Sequence, residues 1–206
     1  MKKFQRIKEK IFAWHLESPL VRLLEKWLLG DCDSIFLKEL SHILRGNEVV
    51  LDLGAGTGRF SLAIAKTLKT GKVLCLDRSE PMLQKLEQKA KNMGLRDKIQ
   101  ILKQDASCLE LENASVDLVV SNNMLHEVPN PEAILKEMLR VLKPDGWLVI
   151  TDFRKTPLSQ FICHSHMKEA HGPFEVHELE TLFDKLRLRN RKVYPIRNWV
   201  IAIGKK

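Results

Sequence analysis

The sequence predicts an α/β fold in which helices cover both faces of one doubly wound, mostly parallel sheet. Three observations predict it. Short runs rich in Val, Ile and Leu are too apolar to have a solvated face, which is typical of buried parallel strands. Helical segments alternate with these runs, and a glycine-rich turn directly follows the first run.

Two helices are predicted before the first strand. Leucine and tryptophan recur at the three-and-four spacing of one helical face between Pro19, a first-turn proline, and Gly30, a stop signal. A second helix is predicted over residues 33–45. We expect residues 1–45 to form a helical cap or lid, and residues 46–206 to form the α/β core of the same single domain.

Seven strands and four helices are predicted in the core. The helices are expected over residues 59–69, 80–93, 131–142 and 178–186, with Asn130 as the cap of the third. The strands are expected over residues 49–53, 72–76, 99–103, 117–121, 147–151, 191–194 and 199–203.

Composition and charge narrow the class of protein. The four cysteines are widely spaced, which is typical of thiols in a reducing compartment. Charged residues interrupt the N-terminus and no apolar run approaches the roughly 18 residues of a membrane span. We therefore expect a soluble, cytoplasmic protein. The net charge of +8 fits solvated, lysine-rich helices, with a nucleic acid, a membrane surface or an anionic substrate as the alternative.

The sharpest local signal is the glycine-rich segment VVLDLGAGTGRF, residues 49–60. A predicted strand runs into Gly54, Gly56 and Gly58 and then into a helix, so a ligand can touch the backbone there. A dinucleotide-binding fingerprint would place its third glycine at position 59, where this chain has Arg59. The glycines instead follow the spacing G-x-G-x-G.

Carboxylates end the next two predicted strands. Asp77 ends the second strand and Asp105 ends the third. In a wound sheet both lie beside the glycine turn, where Asp77 can accept hydrogen bonds from both hydroxyls of a ribose. No cluster of basic residues marks a diphosphate site, so the pattern suits a nucleoside. The alternative is that Asp52, Asp77 and Asp105 cap helices or turns.

These segments resemble the motifs of the class I S-adenosylmethionine (SAM)-dependent methyltransferase family over roughly residues 47–153. LDLGAGTGRF is similar to the first motif of that family, LCLDRSEPML to its acidic second-strand motif, and LKPDGWLVITDF to its fifth-strand motif. LHEVPNPEAILKEMLRVLKPDG resembles the subgroup that contains quinone-biosynthesis methyltransferases. The resemblance implies a seven-stranded Rossmann-like methyltransferase fold and an enzyme that converts SAM to S-adenosylhomocysteine.

The resemblance also implies which residues bind the cofactor. The glycine turn would pass under the methionine and ribose parts of SAM, and Asp77 would hold the ribose hydroxyls. Asp105 and Ala106 would face the adenine. Asp52 would lie near the amino group, and one asparagine of residues 122–123 near the methionine end. The implied cofactor-binding residues are Asp52, Gly54, Ala55, Gly56, Gly58, Asp77, Arg78, Asp105, Ala106 and Asn122.

Two absences from the sequence favour a small-molecule methyl acceptor. Family members that methylate amide or ring amino nitrogens in nucleic acids or proteins usually carry an Asn/Asp-Pro-Pro-aromatic tetrapeptide after the fourth strand, where this chain has SNNM, residues 121–124. The paired-glutamate loop of arginine methyltransferases is also missing. The prediction is methyl transfer from SAM to a small molecule. The alternatives are a SAM-binding but non-catalytic interaction protein and a nucleic-acid methyltransferase.

Four histidines are candidate general bases for an acceptor that is a hydroxyl or an activated carbon. His126 follows the fourth strand, and His164, His166 and His171 follow the fifth. Each has the alternative of a packing or surface histidine. A metal site through Cys163, His166 and His171, or through His164 and His171, is the less favoured interpretation, because no carboxylate is clearly placed to complete it. We predict no metal.

The sequence gives weaker signals for binding partners than for the cofactor. Residues 159–171 and the N-terminal helices are expected to cover the methyl-donor end of the cofactor, and the apolar stripe of those helices either packs on the sheet or closes as a lid. The basic start, Lys2 to Lys10, would allow peripheral membrane contact if the acceptor is a lipid or a quinone. Nucleic acid is disfavoured because the basic residues lack interleaved aromatics. The oligomeric state stays open.

Overall fold

The computed structural model describes residues 18–164 and 170–206, and its strands form one sheet. The strands are β1 (Val49–Leu53), β2 (Lys72–Asp77), β3 (Ile99–Lys103), β4 (Val116–Asn122), β5 (Leu142–Phe153), β6 (Arg189–Ile196) and β7 (Trp199–Lys205). Their order is β3-β2-β1-β4-β5-β7-β6. The first five run parallel, and β7 is antiparallel to both β5 and β6. The predicted doubly wound, mostly parallel α/β sheet is confirmed.

Seven α-helices are described around this sheet. They are α1 (Pro19–Leu29), α2 (Cys32–Ser41), α3 (Arg59–Thr67), α4 (Glu80–Asn92), α5 (Pro131–Val141), α6 (Pro157–His164) and α7 (Val176–Lys185). Short 3-10 helices cover Arg96–Lys98 and Leu125–Glu127. The side chain of Asn130 accepts a hydrogen bond from the backbone N–H of Ala133 at 3.1 Å, which confirms it as the cap of α5. Within the described residues, no helix is long and apolar enough to span a membrane.

Two predicted boundaries are wrong, and both errors have local causes. Helix α2 ends at Ser41 instead of residue 45, because the carboxylate of Glu48 accepts the backbone N–H groups of Arg45 at 2.6 Å and Gly46 at 2.9 Å. These bonds hold the chain in a turn and out of the helix. Strand β5 begins at Leu142, five residues before the predicted start, and its register against β4 shifts near Val116.

The sheet separates two hydrophobic clusters, because alternate residues of each strand point to opposite faces. On one face, Leu51 and Leu53 of β1 belong to a cluster with Met138 of α5 and Phe183 of α7. On the other face, Val50 belongs to a cluster with residues of α2, α3 and α4. The strands are therefore held rigidly, with their carboxyl ends along one edge of the sheet.

The sheet reverses its order between β1 and β4, which are neighbours although two strands separate them in sequence. In open wound sheets, ligands bind outside the carboxyl ends of the strands at such a switch point. The glycine turn follows β1 and the segment 123–130 follows β4. The topology therefore places both segments at the position where a ligand is expected.

Candidate cofactor site

The glycine turn after β1 is fixed by backbone hydrogen bonds. The N–H groups of Gly54 and Ala55 both donate to the carbonyl of Leu76 at 2.9 Å, and the N–H of Gly58 donates to the carbonyl of Ala55 at 2.8 Å. Gly54 has a φ of +80°, and a Cβ there would lie 2.6 Å from Cγ of Met124. Gly56 has a φ of +53° and open space where a Cβ would be. Gly54 thus permits close packing, whereas Gly56 leaves backbone open to a ligand.

Asp77, at the end of β2, holds the glycine turn in place. Its Oδ2 accepts the N–H of Gly56 at 2.8 Å, and its Oδ1 accepts the N–H of Ser79 at 2.8 Å. A carboxylate offers about two acceptor positions on each oxygen, so each oxygen keeps one after these bonds form. Asp77 can therefore orient the turn and accept two further hydrogen bonds at the same time.

Asp105 follows β3 and is held by a neighbouring serine. Its Oδ1 accepts the hydroxyl of Ser107 at 2.6 Å and the backbone N–H of Ser107 at 2.8 Å. The bond from the hydroxyl, and then that from the backbone N–H, lower the pKa of Asp105. Burial opposes them, and the charge of Arg78 lowers the pKa further. Asp105 is therefore an ionised acceptor at neutral pH.

These strand ends enclose a cleft of about 500 Å³ up to its open mouth. Its lining combines small, apolar and acidic groups: Gly54, Leu76, Asp77, Arg78, Gln104, Asp105, Ala106, Met124, Glu127 and Val128. Three of these described lining residues are acids, and Arg78 is the one base among them. The cleft is thus acidic although the whole chain carries a net charge of +8. Such a cleft favours a cation over a diphosphate.

Glu127 adds an acid to the cleft from the segment after β4. Its side chain is open to solvent but lies in the concave wall, and the resulting desolvation raises its pKa, as do the charges of Asp152 and Asp77. The charges of His126 and Arg78 oppose that rise. The protonation of Glu127 therefore depends on the charges that line the cleft.

Asp52, in β1, is buried behind the glycine turn and does not line the cleft. The Ser61 hydroxyl donates to its Oδ2 at 2.5 Å. Burial raises the pKa of Asp52 to about 6, and repulsion from Asp77 contributes, while the bond from Ser61 opposes the rise. An acid kept here with so high a pKa lowers the stability of the folded state at neutral pH.

His126 forms a buried pair with Asp152, the second-last residue of β5. The histidine is 2% exposed, its Nδ1 lies 2.6 Å from Oδ1 of Asp152, and its backbone N–H donates to Oδ2 at 3.2 Å. Burial acts to lower the pKa of His126, but attraction to Asp152, their hydrogen bond and the charge of Glu127 outweigh it, so the pKa is raised. The pair therefore fastens the segment after β4 to the end of β5.

The other candidate bases are placed differently. Nε2 of His171 lies 2.7 Å from Oε1 of Glu178 and its Nδ1 lies 3.0 Å from the carbonyl of Gly172, so both ring nitrogens already have protein partners. His166 lies outside the described residues, and of His164 only the backbone, at the end of α6, is described. Within the described residues, no three metal-ligating side chains are grouped. The catalytic roles of these histidines stay predictions.

Several polar atoms near the ends of β4 and β5 are buried without a hydrogen-bond partner among the described residues. They include Nδ2 of Asn122, Oδ1 of Asn123 and Oγ1 of Thr151. Asn122 and Thr151 are paired across the two strands, so their side chains share one face of the sheet. Buried polar groups normally have partners, and an unpaired cluster at a switch point is typical of a site that receives a polar ligand group.

A second cavity adjoins the start of α3 and reaches about 720 Å³ up to its open mouth. It lies between α1, α2 and Trp199 of β7, and its lining includes Leu23 and Arg59. The ring of Trp199 stacks on Phe153 at 4.5 Å, and the indole N–H has no partner within the described part of the chain. The glycine turn therefore has a cleft on its β2 side and a second cavity near its junction with α3.

Comparisons with known proteins agree with this geometry. A family model described as a methyltransferase domain matches residues 44–196. The chain belongs to this methyltransferase family. It also resembles the solved structure of a SAM-dependent methyltransferase from Aquifex aeolicus, with a TM-score of 0.73 and 22% identity over 95% of this chain and 97% of the other. The predicted family and the methyltransferase fold are thereby confirmed.

Two curated relatives are named as methyltransferases of quinone compounds. A demethylmenaquinone methyltransferase of Lactobacillus johnsonii is 37% identical over 54% of this chain and 45% of its own length. A ubiquinone/menaquinone biosynthesis C-methyltransferase of Hydrogenovibrio crunogenus is 38% identical over 57% of this chain and 46% of its own length. The chain spans about half the length of the curated relatives it matches.

The structure brings only part of the predicted cofactor set into one cleft. Gly54, Asp77, Arg78, Asp105 and Ala106 line it together. The remaining five predicted residues are not among those that line it: Asp52, Ala55, Gly56, Gly58 and Asn122. Sequence reasoning missed three lining residues that follow β4: Met124, Glu127 and Val128. Their position directly after a parallel strand was the signal that could have found them.

Proposed function

We propose that this chain binds SAM in the acidic cleft and transfers its methyl group to a small-molecule acceptor. The observation that carries the proposal is Asp77, which fixes the N–H of Gly56 and still has acceptor capacity on both oxygens. A vicinal pair of ribose hydroxyls needs two such acceptors. The glycine turn beside it leaves open backbone at Gly56 for the rest of a nucleoside ligand.

The chemistry of the cleft also fits the charge of this cofactor. SAM is cationic at its sulfonium and its amino group, and the cleft presents Asp77, Asp105 and Glu127 with Arg78 as their counter-charge. A dinucleotide would bring a diphosphate next to these acids, at an electrostatic disadvantage. Asp105 and Ala106 would border the adenine, and the unpaired amide atoms of residues 122–123 would receive the methionine end.

The residues of the chain would act mainly by alignment. When bound, SAM supplies a methyl group on a sulfonium, whose departure as a neutral thioether makes the transfer favourable. Holding donor and acceptor in line removes much of the entropic part of the barrier. The pair of His126 and Asp152 would keep the wall at residues 124–128 in place, and a general base would be needed only for a protonated acceptor.

The proposal also names the chemical class of the methyl acceptor. One relative named above is a demethylmenaquinone methyltransferase, and the other is a ubiquinone/menaquinone biosynthesis C-methyltransferase. We propose a ring carbon of a reduced quinone as acceptor, with no nucleic-acid partner. The new carbon–carbon bond would form as the carbon–sulfur bond of SAM breaks to leave S-adenosylhomocysteine, and the ring carbon would then lose its proton to water. Trp199, which stacks on Phe153, offers an aromatic face to the second cavity for a flat molecule, and Lys26, Asp31, Asp33 and Arg59 in its lining offer partners for polar ring substituents. A cytoplasmic location completes the proposal and rests on the spacing of the cysteines.

A methyl-transfer assay tests this function. The protein is incubated anaerobically with SAM carrying a ¹³C-labelled methyl group and a short-chain reduced demethylmenaquinone, and the product is measured by mass spectrometry. We expect one labelled methyl group per product ring. Asp77→Ala should abolish product formation, whereas Asp97→Ala, which removes an exposed acid outside the cleft, should not. Methylation of RNA but not of the quinol would replace the proposed acceptor.

A further inference from the structure

Helix α1 presents its apolar face away from the protein. Leu20, Leu23, Leu24, Trp27 and Leu28 fall within one side of the helix at the spacing of 100° per residue, and they are 47–71% exposed. Leu29, on the opposite side, is the buried apolar residue of this helix and belongs to a cluster with Trp199. The orientation is the reverse of that of an ordinary surface helix, whose apolar face packs inward.

A second helix that packs on the same buried cluster as α1 carries an exposed aromatic residue. Phe161 of α6 is 79% exposed. Cys163 of the same helix and Leu29 of α1 both belong to that cluster. We name the five α1 residues and Phe161 the outer surface. Concentrated exposure of large apolar groups is typical of a surface that binds a partner or a membrane.

Basic residues adjoin the outer surface along the sequence. The 18 residues before α1 contain five lysines or arginines and two glutamates. Lys26 of α1 is exposed and its Nζ lies 2.6 Å from Oδ2 of Asp31. The exposed Arg197 donates to the carbonyl of Trp27 at 3.4 Å. The preferred partner is therefore anionic. A second copy of this chain is disfavoured, because a two-fold contact through α1 would bring two basic segments together.

We propose that the outer surface docks on an anionic lipid bilayer. Leucine and aromatic side chains on one helical face, flanked by lysine and arginine, are what an interfacial helix uses to bury apolar groups at the headgroup boundary while its cations meet anionic lipids. The same helix lines the second cavity through Pro19, Leu23 and Lys26. Docking through α1 places the mouth of that cavity against the membrane, so a lipid-soluble acceptor enters without crossing water. This last step rests on the proposed function, but the docking itself does not.

Vesicle sedimentation tests the docking without cofactor or acceptor, so its failure is distinguishable from failure of the methyl-transfer proposal. The full chain is mixed with vesicles of phosphatidylcholine and phosphatidylglycerol at a ratio of 3:1, in about 0.05 M salt. We expect Leu24→Glu/Trp27→Glu to lower the vesicle affinity by at least about tenfold, since each apolar group would otherwise be buried. The matched control, Asn92→Glu/Met93→Glu, makes the same charge change at the exposed end of α4 and should leave the affinity unchanged within about twofold.

The second part of the test removes positive charge from the protein or negative charge from the vesicles. Replacing Lys2, Lys3, Arg6, Lys8 and Lys10 by Gln should also weaken binding to anionic vesicles, and pure phosphatidylcholine should bind far less of the unmodified chain. Circular dichroism and thermal melting confirm that each variant is folded. Equal sedimentation of the unmodified chain and the Leu24→Glu/Trp27→Glu variant would overturn the proposal. So would a stable dimer that this substitution converts to monomer while vesicle binding is absent.

Discussion

The two sides of the glycine turn are built in different ways. On the β2 side, the cleft consists of backbone and short side chains whose hydrogen bonds are already made, as in Asp77 with Gly56 and Asp105 with Ser107. On the α3 side, the second cavity lies between helices, Trp199 lacks a partner for its indole N–H among the described residues, and α1 exposes its apolar face. Under the proposed function, the cofactor would meet a preorganised surface at the sheet edge, whereas acceptor recognition would depend on the helices added around it.

The largest effect is expected from Asp77→Ala, which removes the central group of the preorganised side. The variant loses acceptors for the Gly56 and Ser79 N–H groups as well as for the ribose. Two charge-assisted hydrogen bonds to the ligand, at about 1.5–3 kcal/mol each, predict a loss of affinity for S-adenosylhomocysteine of roughly 10² to 10⁴-fold. Calorimetry measures the loss, and an unchanged affinity would exclude the ribose assignment.

The buried pair that joins β4 and β5 gives the next largest effect. His126→Ala leaves the Asp152 carboxylate buried without its partner, so the free energy of unfolding should fall by about 3–5 kcal/mol. Because the pKa of His126 is raised in the folded state, its contribution is fully present below the unfolded value of about 6.5 and is lost as pH rises through the folded value. Urea titrations at several pH values test both points.

His171→Ala is the matched control for that experiment. Its pair with Glu178 is partly exposed, so its removal should lower the free energy of unfolding by about 1 kcal/mol or less. A loss as large as that of the His126 variant would mean that burial does not distinguish the two pairs.

Asp52 should lower the stability of the folded state at neutral pH. Its folded pKa of about 6 lies above the ordinary value of 3.8, so the folded state loses stability as pH rises from about 4 to 6, by about 3 kcal/mol in total. Asp52→Asn keeps an acceptor for the Ser61 hydroxyl but cannot ionise, so it should not lose this stability. The melting temperature of the variant at pH 7 should therefore be higher than that of the unmodified chain. The control Asp97→Asn, at an exposed position, should not raise the melting temperature. A lower melting temperature for Asp52→Asn would contradict the raised pKa of Asp52.

Asp105→Ala should have the smallest effect on ligand affinity. Asp105 is exposed, and the hydrogen bonds described for its side chain come from Ser107, so the turn after β2 keeps its shape in the variant. One hydrogen bond to the adenine predicts a loss of roughly tenfold in affinity for S-adenosylhomocysteine. A loss equal to that of Asp77→Ala would show that both acids act as one unit.

The difference between the two sides also explains what the sequence could predict. The strands, the glycine turn and the acids at strand ends follow from apolar runs and spacing, which depend on local geometry and on the parallel sheet. The pairing of His126 with Asp152 did not follow, because 26 positions separate them and only the register of β4 and β5 joins them. The outward face of α1 also did not follow, since an apolar stripe has the same spacing whether it faces the core or the solvent.

Calorimetry of the unmodified chain with S-adenosylhomocysteine and with NAD tests the central claim most directly. The claim is that the acidic cleft beside the glycine turn is a preorganised site for the nucleoside of SAM. We predict one site per chain for S-adenosylhomocysteine and no detectable heat with NAD at the same concentrations, because the acids of the cleft oppose a diphosphate. Binding of NAD in place of S-adenosylhomocysteine, or S-adenosylhomocysteine binding that Asp77→Ala does not weaken, would contradict it.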